Sequence, residues 1–156
     1  MQNDQCAPLI RQIYTTTEKR INNSMRAMDL THAQVCMLFI LIEREGGCCS
    51  MKELERQLDL AQSTTAGIVK RAEEKGLVEC LPDPDDRRSK LVRVTAAGEL
   101  RHRETKADIQ LTESWLLHAL TPEERPQFIS MLQRVYYSIS DRQQQPGPAC
   151  CRKEGL

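Results

Sequence analysis

Apolar side chains recur every three or four residues in the first part of the chain, which is the spacing of one helical face. They predict a first helix over residues 9–28. Thr31 followed by Gln34 forms a capping box, which predicts the start of a second helix. Because residues 35–42 are apolar on almost every side, this second helix should be central and buried. We expect the glycine pair at 46–47 to end it.

Two shorter helices are predicted next, separated by a tight turn. Ser50 and Glu53 form a second capping box and begin a helix that should end near Leu60. Residues 61–76 then have the pattern of a fourth helix, with Gly76 at the position that follows a helix end. The residues of this helix expected to face the core are Ile68, Val69 and Ala72.

A β-hairpin is predicted after the fourth helix. Residues 77–81 and 91–94 are apolar or β-branched and flank residues 82–89, which have the Pro, Asp and Ser composition of a turn. The sequence therefore predicts two strands joined by an extended, charged tip.

Two more helices and a tail complete the pattern. Thr95 should begin a long, mostly polar helix that reaches about His118, with a solvated first half and a packed second half. Thr121, with Pro122 at the first helical position, should begin a last helix that runs through Ile139. Residues 141–156 have the composition of a flexible tail that contains cysteine.

Composition narrows the class of protein. The 156 residues are 40% hydrophobic and 28% charged, as expected of a globular protein with one domain or two small ones. The chain has neither an apolar run of about 20 residues nor a secretion signal, which predicts a cytoplasmic protein without a membrane segment. Its 22 basic residues balance 22 acidic ones, so any surface that attracts nucleic acid must be local.

Two short helices, a tight turn between them and a hairpin with a charged tip follow one another in the order of a winged helix-turn-helix. The start of the fourth helix carries short hydrogen-bonding side chains suited to base edges and phosphates, and cations follow it. An arginine at the hairpin tip suits a narrow minor groove. The predicted DNA contacts are Gln62, Ser63, Thr64, Thr65, Lys70, Arg71, Arg87, Arg88 and Lys90.

The stretch over residues 81–98 resembles the wing, and the threonine-and-glycine helix start after it, of the multiple antibiotic resistance regulator (MarR) family. Asp86 and Arg88 match the Asp-x-Arg element of that family's wing. The resemblance implies that Arg88 enters the minor groove while Asp86 holds it by a charge-assisted hydrogen bond. The order of helices agrees with the family over residues 9–140.

This resemblance implies a mainly α-helical fold with a small β-hairpin wing, in which a winged helix-turn-helix is flanked by a helical dimerisation layer. Residues 31–99 would bind DNA, whereas residues 1–30 and 100–140 would form the homodimer. A symmetric dimer favours a palindromic operator on double-stranded DNA. Members of the family are usually repressors that are released from DNA by a small molecule or an oxidant.

An effector pocket in such a fold would lie among the first, second and fifth helices. Its apolar walls with a few polar groups would suit a small aromatic acid or phenol. The same residues would equally serve as ordinary core, which is the more common role of Met and aromatic side chains at helical spacing. The candidate effector residues are Tyr14, Met25, Met28, His32, Cys36 and Trp115.

We expect no cofactor and no metal site. The three histidines, His32, His102 and His118, are not spaced four residues apart, and the sequence does not group them with cysteine in a tight cluster.

The seven cysteines are an unusual feature for a chain of this length. Cys36 and Cys80 lie in apolar patterns and are interpreted as inert buried thiols. Four others would be more reactive, two of them ahead of a helix N-terminus and two beside basic residues in the tail. Cys6, placed before the first helix, would approach the partner's tail in a dimer. Accidental exposure is the more common explanation for such thiols, and the candidates for redox sensing are Cys6, Cys48, Cys49, Cys150 and Cys151.

Two other functions compete with DNA-binding regulation. The first is a winged-helix protein-interaction module that does not bind DNA. The second is an enzyme with a cysteine nucleophile, but no cysteine has a local base signature or a neighbouring glycine-rich phosphate loop, so we expect the protein not to be an enzyme.

Overall fold

The computed structural model of the protein describes residues 5–84 and 89–142. Within them it is mostly helical with a small antiparallel sheet, which confirms the fold class expected from the sequence. The boundary between two compact units lies between Gln110 and Leu111, inside the fifth helix. The helices are α1 (Cys6–Ala27), α2 (His32–Ile42), α3 (Met51–Leu58), α4 (Gln62–Glu74), α5 (Ala96–Leu116) and α6 (Glu124–Arg142), and the strands are β1 (Cys48–Ser50), β2 (Val78–Pro82) and β3 (Lys90–Val94).

Helix α2 is the centre of the first unit, as its apolar sequence predicts. It begins at the expected capping box, in which the Thr31 Oγ1 accepts a hydrogen bond from the Gln34 N–H at 3.3 Å and the Thr31 N–H donates to the Gln34 Oε1 at 3.1 Å. The capping box gives hydrogen-bond partners to two backbone N–H groups at the start of α2, where Gln34 is buried. Around α2 pack α3, α4 and the sheet. The fully buried apolar residues of this core include Met37, Leu38, Leu41, Leu54, Ala72 and Val92, and the predicted core residues Ile68, Val69 and Val94 are buried beside them.

The sheet has three strands in the order β1-β3-β2, all antiparallel. The predicted hairpin is present as β2 and β3, but β1 was not expected. Residues 48–50 were interpreted as a lead into α3, because a strand of three residues carries no recognisable alternation. Its pairing partner in β3 is more than 40 residues away, where Cys49 lies opposite Val92.

Thr95 joins the end of α4, the end of the wing and the start of α5. Its N–H donates to the Leu77 carbonyl at 3.1 Å and its hydroxyl donates to the Gly76 carbonyl at 2.6 Å. The same hydroxyl oxygen accepts the Gly98 N–H at 3.1 Å, so it also caps α5. A Cβ placed on Gly98 would lie 2.1 Å from the Leu77 carbonyl oxygen, so only glycine allows this close approach.

Several helix limits differ from those predicted. Helix α1 begins at Cys6, so this cysteine is part of the helix and does not precede it. Helix α2 ends at Ile42, and the chain then forms a 3₁₀ turn over Glu45–Gly47. Helix α6 begins at Glu124 and not at Pro122, although the predicted capping contacts with Thr121 are present.

The first half of α5 is mostly exposed, as predicted, although Gly98 and Thr105 within it are buried. The second half was predicted to be packed, and in the single chain it is not. Ile109, Leu111 and Trp115 further along are exposed in the single chain. The apolar residues at the end of α5 therefore have a large surface that this chain does not cover.

Among the described residues, no single helix is long and apolar enough to cross a membrane. Helices α1 and α2 satisfy the length and composition criteria only as a pair, and they are bent by 78° where they meet.

We predict that Gly98→Ala lowers the free energy of unfolding by about 2–3 kcal/mol, because the added methyl group must displace the Leu77 backbone. Gly67→Ala is the matched control, since a Cβ at Gly67 meets only the flexible Arg71 side chain, at 3.3 Å. That control should be neutral or stabilising by about 0.5 kcal/mol, as alanine favours a helix. Urea unfolding followed by circular dichroism measures both values. Equal stability of the two variants would contradict the role assigned to Gly98.

Candidate nucleic-acid interface

Helices α3 and α4 form a helix-turn-helix, as the sequence predicts. Ser50 caps α3 by accepting the Glu53 N–H at 3.2 Å. The helix then ends at Asp59, which has a left-handed backbone with φ 52°. Two residues later Ala61 precedes α4 and provides no side-chain cap. The first N–H groups of α4 are therefore left without a side-chain acceptor, which suits an anionic ligand such as a phosphate.

Helix α4 has one buried and one exposed face. Ile68, Val69 and Ala72 are buried, which confirms their predicted position in the core. The exposed face carries most of the predicted DNA contacts. These exposed residues are Gln62, Ser63, Thr64, Lys70 and Arg71.

Thr65 does not belong to the exposed face, although it was predicted to contact DNA. Its side chain is fully buried, and its hydroxyl donates to the Ala61 carbonyl at 3.3 Å. The reason is helical periodicity, since Thr65 lies three, four and seven residues before the buried positions of the same helix. In this structure Thr65 is a packing residue of α4.

The wing begins with a regular hairpin. Lys90 is the first residue of β3 and is exposed. Towards the tip, the Asp83 N–H donates to the Ser89 carbonyl at 3.3 Å. Further from the tip, the exposed Arg93 and Glu79 form a cross-strand ion pair at 2.7 Å. The predicted tip contacts Asp86, Arg87 and Arg88 lie outside the described residues.

The cations of the helix-turn-helix differ in whether they are paired. Glu53 accepts from Arg44 at 2.7 Å and from Arg56 at 2.7 Å. Hydrogen bonds from Arg56 and Gln57 hold the pKa of Glu53 below its usual value. Sequence analysis missed this cluster, although the three-residue spacing of Glu53 and Arg56 on a helix was a usable signal.

On α4 and the wing, the basic side chains differ from Arg44 and Arg56 in their ion pairing. Within the part of the chain that the structure describes, Lys70, Arg71 and Lys90 have no acidic side chain within ion-pair distance. Their positive charge is therefore available to a ligand. Although the formal net charge is zero, basic side chains without an ion-pair partner among the described residues lie on the surface with which a helix-turn-helix would contact DNA.

The C-terminal end of α4 is held by two contacts. Lys75 forms an ion pair with Asp29 at 3.1 Å and also bonds to the Asp29 carbonyl, at the corner between α1 and α2. Glu73 accepts the Cys80 N–H of β2 at 3.1 Å. These contacts fix α4 to the α1–α2 corner and to the wing, and sequence analysis did not identify either one.

The candidate effector residues are found in different surroundings. Met25 is buried in the core, and Met28 is half-buried with its sulfur 3.8 Å from the hydroxyl of Thr105. Tyr14 is exposed and donates to Glu18 at 3.1 Å. Trp115 is exposed and belongs to the second unit. The predicted pocket formed by this whole set stays a prediction.

His32 and Cys36 form a contact that the sequence interpretation overlooked. The Cys36 sulfur lies 3.6 Å from the Nδ1 and 3.8 Å from the Nε2 of His32. Cys36 is half-buried and not fully buried as expected, and its burial raises the pKa of the thiol. The four-residue spacing on one helix was the signal that could have revealed the pair.

The two cysteines of β1 have opposite environments because successive strand residues point to opposite faces. Cys49 is buried, and this burial raises the pKa of its thiol to about 11. The expectation that a helix N-terminus makes Cys49 reactive is therefore wrong. Cys48 is half-buried, and its thiol donates weakly to the Glu45 carbonyl at 3.9 Å.

Two further thiols can be placed. Cys80 was expected to be buried, but it is half-buried on the wing, where burial followed by the neighbouring Glu73 raises its pKa. Cys6 is exposed at the start of α1. Cys150 and Cys151 lie outside the described residues.

His102 packs edge-on against Phe39, with ring centroids 4.4 Å apart. Burial, followed by the nearby Lys106, lowers the pKa of His102. Over residues 5–84 and 89–142, no three His, Cys, Asp or Glu side chains come together in a group that would hold a metal ion.

Comparison with known proteins agrees with this architecture. The model of the MarR family matches residues 28–89, from the α1–α2 corner into the wing. The multiple antibiotic resistance protein MarR of Salmonella typhimurium is 33% identical over 94 residues. That alignment covers 58% of this chain and 64% of the relative, so slightly less than two thirds of the relative's length is matched.

Solved structures share the fold over most of this chain. A MepR mutant from S. aureus, bound to an oligodeoxyribonucleotide, superposes with a TM-score of 0.68 at 20% identity and covers 86% of this chain and 98% of its own. BpsR from Bordetella bronchiseptica, whose DNA binding is regulated by 6-hydroxynicotinic acid, has a TM-score of 0.63 at 24% identity and covers 87% and 96%. The family match and the Salmonella relative show that residues of the winged helix-turn-helix are similar to proteins of the MarR family, and the solved structures show that the fold is shared.

Proposed function

We propose that the protein is a sequence-specific DNA-binding transcriptional regulator. It acts as a homodimer on a palindromic operator and represses transcription until a small aromatic ligand or thiol oxidation releases it. Residues 31–99 are the DNA-binding region, and residues 1–30 together with 100–140 are the dimerisation region.

The exposed face of α4 is the observation that carries this proposal. It combines short hydrogen-bonding side chains at the helix start with Lys70 and Arg71 further along, which form no ion pair with any residue in the described ranges. A recognition helix reads base edges with its N-terminal residues, while cations along it contact phosphates. The S. aureus MepR mutant, which has the same fold, is bound to an oligodeoxyribonucleotide, and this supports the assignment.

Dimerisation is supported by apolar surface that the single chain leaves open. On α1, Leu9, Ile10 and Ile13 are exposed. Along the middle of α6, mainly apolar side chains line an open groove on the surface of the helix. Monomeric proteins rarely leave such contiguous apolar surface in water. The exposed apolar residues of α6 are Ile129, Met131, Leu132, Val135, Tyr136, Tyr137 and Ile139.

A small aromatic acid is the class of effector that we propose. Met28 and Tyr14 offer apolar and aromatic surface, and His32 offers a polar group for a carboxylate. The regulation of BpsR by 6-hydroxynicotinic acid supports this class of ligand.

The experiment that tests the proposed function is operator binding by Arg88→Ala, measured by fluorescence anisotropy on DNA from upstream of the protein's own gene. Loss of a groove contact should weaken binding by about 1–3 kcal/mol, which is about ten-fold or more. The unmodified protein must bind this DNA in the presence of competitor. If neither protein binds this or any selected DNA, the chain is a protein-interaction module and the proposal is wrong.

Lys70→Ala should weaken binding to operator and unrelated DNA alike, because a lysine that contacts phosphate carries no sequence information. The dependence of log affinity on log salt concentration should become shallower by about 1. Lys106→Ala is the matched control, since Lys106 is an exposed lysine on α5 and not on α4. If a salt titration gives the same slope for the unmodified protein, Lys70→Ala and Lys106→Ala, Lys70 does not contact DNA.

Leu132→Asp should convert the dimer into a monomer, because Leu132 is 45% exposed in the chain alone and would be desolvated in the interface. We expect the dissociation constant of the dimer to rise by about 30-fold or more, which corresponds to about 2 kcal/mol. Ser130→Asp adds the same charge on the polar side of α6 and serves as the control. Sedimentation equilibrium that shows equal association for both variants would exclude this face as the interface.

A further inference from the structure

A side chain of α4 forms a hydrogen bond with the wing. The Glu73 Oε1 accepts the backbone N–H of Cys80 at 3.1 Å. Glu73 lies in the last turn of α4, and Cys80 is the third residue of β2. The bond therefore joins the helix assigned to base reading with the hairpin assigned to the neighbouring groove.

This bond spans the turn between the helix and the strand. The chain leaves α4 through Gly76, which has a φ of 69°. The Gly76 N–H donates to the Glu73 carbonyl at 2.8 Å. The Leu77 N–H donates to the Ala72 carbonyl at 2.9 Å, and the backbone bonds of the turn end there. Cys80 lies three residues further, about 10 Å along the strand, so a bond at this point resists rotation of the hairpin about the turn.

The two strands of the wing are supported differently. Strand β3 lies in the middle of the sheet and pairs with both β1 and β2. Strand β2 is at the edge, where alternate backbone N–H groups have no partner within the sheet. The Cys80 N–H is one of these outward-facing groups, and Glu73 supplies its acceptor. Helix α4 thus supports the wing on the side that β1 does not.

The charge of Glu73 opposes DNA binding, whereas its bond to the wing favours it. Glu73 is exposed and forms no ion pair within the described ranges. A carboxylate on the helix that approaches DNA repels the phosphates. Removal of the charge alone should therefore strengthen binding, and removal of the bond should weaken it, so that experiment can separate the two effects.

We propose that Glu73 is a positioning residue for DNA recognition, which sets the angle between α4 and the wing through the Cys80 N–H. A helix and a wing that enter adjacent grooves combine their affinities only when the geometry lets both engage at once. The Glu73 bond fixes this geometry before DNA is bound, which lowers the cost of ordering on binding. The inference rests on the proposed function, to which it adds a residue that acts without contacting DNA.

The test compares Glu73→Ala with Glu73→Gln in operator binding, measured by fluorescence anisotropy on the DNA named above. Both variants lose the negative charge, but the amide oxygen of glutamine can still accept the Cys80 N–H. Glu73→Ala should weaken operator binding by about five-fold or more, as expected when a coupled contact is lost. Glu73→Gln should bind at least as tightly as the unmodified protein.

Glu74→Ala is the matched control. It removes an exposed carboxylate from the next position of α4, and Glu74 forms no ion pair over residues 5–84 and 89–142. Its operator affinity should be unchanged or higher. If Glu73→Ala binds as tightly as Glu74→Ala, or Glu73→Gln binds as weakly as Glu73→Ala, the proposal is wrong. Because both glutamates are exposed, the variants should keep their fold, which thermal unfolding followed by circular dichroism verifies.

A double-mutant cycle with Arg88→Ala distinguishes positioning of the wing from general loss of structure. Once the wing contact is removed, the angle of the wing matters little, so Glu73→Ala should then weaken binding by less than about two-fold. A cost that stays the same in the Arg88→Ala background would show that Glu73 does not act through the wing, and would overturn the proposal.

Amide hydrogen exchange in the free protein tests the bond without DNA. The Cys80 N–H should exchange about ten-fold faster in Glu73→Ala than in the unmodified protein, because a hydrogen bond that protects it is lost. Glu73→Gln and Glu74→Ala should leave its rate unchanged. Equal exchange at Cys80 in all four proteins would refute the inference. If none of them binds DNA, the proposed function fails, while the exchange rates still decide whether Glu73 holds the wing.

Discussion

The close approach of Gly98 to the Leu77 carbonyl is the constraint on which the DNA-reading part of the fold depends. It allows Thr95 to bond at once to the end of α4, through Gly76 and Leu77, and to the first turn of α5. Three elements therefore meet at one residue, and hydrogen bonds of the Thr95 N–H and hydroxyl group fix their angles. A larger residue at Gly98 would separate α5 from the wing, and the orientation of α4 would lose one of its supports.

The C-terminal end of α4 is fixed while its N-terminal end is free. Glu73 bonds to the wing, Lys75 bonds to the α1–α2 corner, and Gly76 bonds to Thr95. At the other end Ala61 supplies no side-chain cap to the first backbone N–H groups, and Gln62 and Ser63 beside them are exposed. A reading element needs this combination, because rigidity sets where the contacts fall and uncapped donors supply part of them.

Most of the fold could be predicted from sequence patterns that act over a few residues. Features that depend on residues far apart in the chain could not. The capping box at Thr31 and the N-cap bond of Ser50 act within three residues, so both mark helix starts, although the Glu53 side chain bonds to Arg56 and not to the Ser50 N–H as a full capping box requires. Strand β1 depends on a partner far along the chain and carries no pattern of its own. At the site, periodicity already assigned Thr65 to the buried face, but its hydroxyl chemistry suggested a contact. The family resemblance assigned the apolar faces of α1 and α6 to a dimer, and within one chain they are exposed.

Charge pairing explains how a chain of zero net charge can present a basic surface. Glu53 forms ion pairs with both Arg44 and Arg56, and Glu79 forms one with Arg93. The cations on the outer face of α4 are not paired in this way by any residue the structure describes. Under the proposed function, the long-range attraction of the whole molecule for DNA would be weak, and binding would depend on short-range contacts at α4 and the wing. Discrimination between sequences would then depend on the contacts with base edges, since contacts with phosphate position a protein but carry no sequence information.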